Sequence, residues 1–229
     1  MFRENGLRAK STGFESVPPP ASDKQPEMAK SKTPLAKGIA KLFNNSDHAD
    51  VKIYIGHYEL PAHSVVLASQ SPFFQKALSE NFREGKDKQF YFKEGSAHAH
   101  WRAFEYLYTG DYAEEPAQVL DTQDDDELVK DFRVYVTAEF FMLDHLKHLA
   151  LQRFKLTLGK LWVSELLVDC VREVYASTTE SELGPRSAVV QVAYAYRANL
   201  WQRKTFRDLV HDGGDFAVDL MGKCTRQEN

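Results

Sequence analysis

Asp50-Val51-Lys52-Ile53-Tyr54-Ile55-Gly56-His57-Tyr58-Glu59-Leu60-Pro61-Ala62-His63 decides the fold. Strand side chains alternate sides, so Val51, Ile53 and Ile55 share one face, and that face turns to a core. Gly56-His57 makes a tight reversal. Glycine as the first central residue suits a primed turn, which needs positive φ there. The stretch therefore predicts a hairpin whose second strand runs on into Val65, Val66, Leu67 and Ala68. Ser71 then supplies an N-cap and Pro72 the first helical position, ahead of Phe73, Phe74, Ala77 and Leu78. Gln89-Phe90-Tyr91-Phe92 reads as a third strand. Ala97 to Thr109 reads as a helix with Trp101, Phe104, Leu107 and Tyr108 on one stripe, stopped near Gly110.

Upstream, Leu35, Ile39, Leu42 and Phe43 fall on one face of a short helix ending before Asn44-Asn45. Residues 1 to about 33, with Val17-Pro18-Pro19-Pro20-Ala21 and many Ser and Lys, bury too little to offset their ordering entropy and are expected to be a disordered tail, inert or used for docking. Downstream, Glu114 to Glu127, with Asp124-Asp125-Asp126, is expected to be an exposed acidic loop. Helical periodicity returns with Leu128, Phe132, Tyr135 and Val136, and again from Phe140 and Phe141 to Phe154. Val163, Leu166, Leu167, Cys170, Val171, Val174 and Tyr175 predict one more helix stripe. Val189, Val192, Ala193, Tyr196 and Leu200 predict another after a turn at Gly184-Pro185. A helix hairpin packed on the first domain satisfies both faces.

Composition narrows the function. The chain has 229 residues, 43% hydrophobic and 27% charged, enough for a sizeable core under a polar surface. Residues 1 to 46 hold eight Lys and Arg against four Asp and Glu, leaving twenty-one against twenty-nine in the remainder. An acidic body has the wrong field for phosphate backbones, so direct nucleic-acid binding is not expected. Cys170 and Cys224 stand alone, which argues against a disulfide framework or zinc ribbon and fits a reducing compartment. No apolar run approaches the roughly 18 to 20 residues of a membrane span, and no secretory leader is visible. Glu4 and Glu15 weaken a mitochondrial reading. Nucleus and cytoplasm remain.

Catalytic patterns are missing: there is no Gly-x-Ser-x-Gly, phosphate loop or dinucleotide fingerprint. His98-x-His100 and His145-x-x-His148 lack the further ligands a metal site requires, and the aspartate run lacks the spacing of a calcium loop. Catalytic residues, metal and cofactor are therefore each expected to be none. Cys170 lies on an apolar stripe and His63 reads as a hydrogen-bonded structural histidine.

The ordered set Asp50-Val51, His63, Ser71-Pro72-Phe73-Phe74, Phe82-Arg83-Glu84 and Tyr106-Leu107-Tyr108-Thr109-Gly110-Asp111-Tyr112 resembles the BTB/POZ family, as does Ala138-Glu139-Phe140-Phe141-Met142-Leu143 further on. The resemblance covers about Leu35 to Phe154, and the layout is similar to fungal members that carry a BTB domain and a helical extension. It implies an α/β mixed (α+β) fold with a small three-stranded sheet flanked by helices. It divides the chain into a tail (1–33), a BTB/POZ domain (34–157) with an acidic loop near 114–127, and a helical extension (158–229). It implies a protein-interaction module rather than an enzyme. One reading is an adaptor that binds a cullin through Phe82, Arg83 and Glu84 and recruits an unknown substrate to a ubiquitin ligase. The other is a homodimerising or transcription-related scaffold using Leu35, Ile39, Leu42, Phe43 and Asp50. Each has a plain structural alternative: Phe82 packed inward to close the fold, and the Leu35 face packed on its own domain. In dimeric members Asp50 is buried against a basic residue following the His63 position. Ser64 stands there, so Asp50 is expected to lack a charge partner.

Overall fold

The alternation at Val51, Ile53 and Ile55 becomes the central strand of a three-stranded sheet in the computed structural model, which describes residues 33–79, 83–124 and 126–225, with the backbone alone at Arg83 and Glu84. The tail expected over 1–33 lies, but for its last position, outside the described residues. The chain enters through helix α1 (Pro34–Ala40) and passes into strands β1 (Val51–Ile55) and β2 (Tyr58–Ala62). Helices α2 (Ser64–Gln70), α3 (Pro72–Ala77) and α4 (Arg83–Asp87) lead to strand β3 (Gln89–Phe92) and helix α5 (Ala97–Thr109).

The sheet order is β2-β1-β3. β1 and β2 pair antiparallel with Ile53 opposite Leu60, and φ at the Gly56 turn is +58°. β1 and β3 pair parallel with Ile53 beside Phe90. A parallel pair cannot be closed by a hairpin, so the chain crosses over through α2 to α4. Val51, Ile53, Ile55, Leu60, Ala62 and Phe90 are buried on one face. On the other face Lys52 pairs with Glu59 at 2.9 Å and Tyr54 stacks on Tyr91 at 4.6 Å.

Capping fixes the helices where the residues require. The Ser71 hydroxyl accepts from the Phe74 N–H at 3.2 Å and donates to the Phe141 carbonyl at 2.7 Å, so one cap also ties α3 to a distant turn. Ser96 caps α5 by accepting from Ala99 N–H, and Gly110 ends it at φ +71°. Gly85 is required by close approach: a Cβ there would sit 2.1 Å from the Ser79 carbonyl oxygen, so α4 lies hard against the end of α3.

Helix α6 (Lys130–Phe140) packs on α5 and pairs with α7 (Asp144–Leu161). Their turn is a Schellman cap, with Leu143 N–H on Ala138 O and Met142 N–H on Glu139 O, and Met142 takes the left-handed position at φ +56° where glycine is usual. The turn drives Phe141 into the core, where its ring lies 5.0 to 5.5 Å from Phe73, Phe74, Phe92 and Phe104.

Five further helices follow: α8 (Leu167–Ser177), α9 (Leu183–Ala195), α10 (Arg197–Leu200), α11 (Lys204–His211) and α12 (Gly214–Thr225). The α8–α9 hairpin is present, with two corrections. Val163 and Leu166 lie in the turn before α8 and are exposed, so the apolar stripe starts at Leu167. Gly184 and Pro185 sit inside the first turn of α9 rather than ahead of it, since proline is tolerated there. Arg133 joins α6 to α8 through a bidentate pair with Glu173 at 2.6 and 2.8 Å. Among the described residues no helix is long and apolar enough to cross a membrane.

Candidate protein-interaction surfaces

α1 and the segment after it form the first surface. Ile39, Leu42 and Phe43 are half-buried against the core, with the Phe43 ring 5.0 Å from Trp101 and 5.7 Å from Tyr108. Leu35 stands apart from them, 74% exposed. Of the five residues expected to line a seam, Ile39, Leu42 and Phe43 are used in part by their own domain.

Asp50 corrects an expectation. It is exposed rather than buried, and it does have a charge partner: Lys88 Nζ at 2.8 Å. Ser64 also donates to it, from its N–H at 2.8 Å and its Oγ at 2.7 Å. Partial burial pushes the Asp50 carboxyl up, but Lys88 and the two Ser64 donors outweigh that and hold it at about 2. Since Lys88 O also accepts from Lys52 N–H at 2.9 Å, the pair fastens the start of β3 to the start of β1. His63 is structural, as read: its ring nitrogens lie 3.0 Å from Tyr108 Oη and 2.9 Å from Asp47 O.

The acidic segment is also corrected, because it is not solvated throughout. Asp124 accepts from Ala97 N–H at 2.6 Å and makes a short contact to buried His98, and Leu120 is buried. Asp124 thus caps the N-terminus of α5, where exposed N–H groups favour a carboxylate. Burial raises its pKa, but His98, Ser96 and Thr122 bring it down to about 2. Asp125 lies outside the described residues. Deeper in, Asp131 is buried and accepts from Tyr112 Oη at 2.7 Å; burial raises its pKa. Burial likewise lifts the Cys170 thiol to about 12, which leaves it a packing residue.

The second surface surrounds α3, α4 and the α6–α7 turn. Phe82 lies outside the described residues, and Arg83 and Glu84 open α4. Phe140 is 54% and Met142 57% exposed, with the Phe140 ring 4.9 Å from half-buried Phe73 on α3. Sequence reading missed the pair as a surface. The signal was available: three consecutive large apolar residues, Phe140-Phe141-Met142, cannot all face one core. Among the described residues no group of three or more His, Cys, Asp or Glu is placed to hold a metal. His98 and His100 instead engage Asp124 and the Ser96 carbonyl, and His148 the Asp144 carbonyl.

Comparison with known proteins gives this arrangement a family. The BTB/POZ domain model matches residues 39–152. Kelch-like protein 38 of Mus musculus is 30% identical over 97 residues, which cover 42% of this chain and 17% of that protein. Its Rattus norvegicus counterpart is 37% identical over 71 residues, 31% of this chain and 12% of that protein. The chain thus matches less than a fifth of the length of these curated relatives. Residues 39–152 form the sheet, α5 and the α6–α7 pair just described, and through them the chain belongs to the BTB/POZ family of protein-interaction modules.

Proposed function

We propose that the protein is a substrate adaptor for a cullin-based ubiquitin ligase, working in the nucleus or cytoplasm by binding alone. The cullin is held by Phe82, Arg83 and Glu84 together with the apolar strip of Phe140 and Met142, and a substrate by another part of the chain. The observation that carries this reading is the exposure of Phe140 and Met142 beside Phe73, in a BTB/POZ domain. Exposed aromatic and methionine side chains have the chemistry of interface anchors, and a carboxylate such as that of Glu84 can set a partner's orientation. Calorimetric titration of the full chain with a cullin N-terminal domain tests it. Saturable binding, weakened about tenfold or more by Phe82→Ala, is expected; no binding to the wild type would remove the reading.

A homodimerising or transcription-related scaffold is the second reading, favoured by the exposure of Leu35 at the head of α1. Leu35→Asp tests it cleanly because Leu35 contributes little to its own core, whereas Ile39→Asp would also disturb folding. Light scattering should show a dimer that becomes monomeric in Leu35→Asp; a monomeric wild type would exclude the scaffold.

A further inference from the structure

The sheet has two outer strands, β2 and β3, and they differ. β2 carries Pro61, which has no N–H to offer and blunts its edge. β3 has no proline. Its ladder to β1 is fixed by Lys52 N–H on Lys88 O at 2.9 Å and Gly56 N–H on Phe92 O at 3.2 Å. Backbone groups alternate sides along a strand, so Lys88, Phe90 and Phe92 turn theirs to β1, while Tyr91 and Lys93 turn theirs away. Among the described residues no group pairs with the outward N–H and C=O of Tyr91 and Lys93.

Beside that edge lies an open cleft of about 530 Å³, lined by Tyr91, Phe92, His100, Val136, Thr137 and Phe140. β3 forms one wall and α6 the other. The floor is uncharged: His100 is buried, its Nδ1 lies 2.8 Å from the Ser96 carbonyl oxygen, and its ring stacks on Phe92 at 4.9 Å. Burial lowers its pKa and keeps it neutral. Lys93 and Glu94 give the rim one charge of each sign. An unpaired strand edge beside a helix selects a peptide backbone in extended form. Alternate side chains of an added strand would point into the cleft, and an uncharged floor matches apolar ones there.

We propose that β3 and α6 form a docking groove in which an extended peptide with apolar side chains at alternate positions adds as a fourth strand. The groove shares Phe140 with the strip of the cullin reading but goes beyond that reading, since its backbone ladder at Tyr91 and Lys93 uses none of Phe82, Arg83 or Glu84. The test selects a displayed library of random eight-residue linear peptides on the full chain, then titrates the enriched sequences as synthetic peptides. Enriched peptides should carry apolar residues two apart and slow hydrogen exchange at the Tyr91 and Lys93 N–H groups. N-methylation of those peptide residues whose N–H faces β3 should weaken binding about tenfold, while methylation at the alternate residues leaves it unchanged. Tyr91→Pro, which removes an outward donor, should weaken it similarly. Methylation effects without this two-residue period, or no peptide enriched on the wild type over Tyr91→Pro, would overturn the proposal. So would a peptide-free dimer already protecting the Tyr91 and Lys93 N–H groups, which would give the edge to a second copy.

Discussion

The two candidate surfaces use their apolar residues in opposite ways. On the α1 side, Ile39, Leu42 and Phe43 turn inward to the core, Phe43 against Trp101 and Tyr108, and leave Leu35 alone outside. On the α6–α7 side, the buried Phe141 is flanked by Phe140 and Met142, both left in solvent. Apolar residues close together in sequence therefore do different work. What separates them is the backbone: α1 simply continues onto the core, whereas the left-handed turn at Met142 fixes which of three apolar neighbours is swallowed.

Neighbouring substitutions break this comparison most sharply. Phe141→Ala should lower stability by about 3–5 kcal/mol, because its ring is buried among four others. Phe140→Ala, one residue away, should stay within about 0.5 kcal/mol. Denaturant unfolding of the two variants measures both, and equal losses would deny that Phe140 is a surface residue. A smaller effect is expected of Gly85→Ala, which must push α4 off the Ser79 carbonyl at a cost of about 1–3 kcal/mol. Cullin binding should fall with it although no proposed contact residue is changed.

Asp124→Ala, which removes the bond to the Ala97 N–H and leaves the Ser96 cap of α5 in place, should cost about 0.5–2 kcal/mol. Asp50 and Asp124 are both held at about 2, below the ordinary 3.8, so their contribution to stability is complete above pH 4 and is lost as pH falls through 2. Acid unfolding of Asp124→Asn should accordingly decline less steeply between pH 4 and 2 than that of the wild type. Least is expected of Lys88→Ala, about 0–1 kcal/mol, since its pair with Asp50 is open to solvent.

Local signals carried much of the fold. The hairpin, the Ser71 cap and the C-terminal end of α5 follow from alternation, N-cap chemistry and one glycine, each acting within a few residues. Partnerships over distance were not legible. Lys88 stands 38 positions from Asp50, whereas attention to the residue after His63 found only Ser64. Asp124 looked like one of three solvated aspartates because nothing nearby in sequence announces that it accepts from the first N–H of α5, 27 residues away. Val163 and Leu166 kept helical spacing with the stripe that follows, but spacing does not reveal a turn before Leu167. The candidate site was half legible: Phe82, Arg83 and Glu84 were singled out by resemblance, while Phe140 and Met142 were hidden inside a run that periodicity treats as continuous helix.

The most direct test of the account compares two single-charge substitutions in calorimetric titration of the full chain with a cullin N-terminal domain. Phe140→Asp should weaken binding about tenfold or more and Leu35→Asp should leave it unchanged, both proteins remaining as stable as the wild type. Loss of binding in Leu35→Asp with Phe140→Asp unaffected would contradict it and move the partner surface to α1.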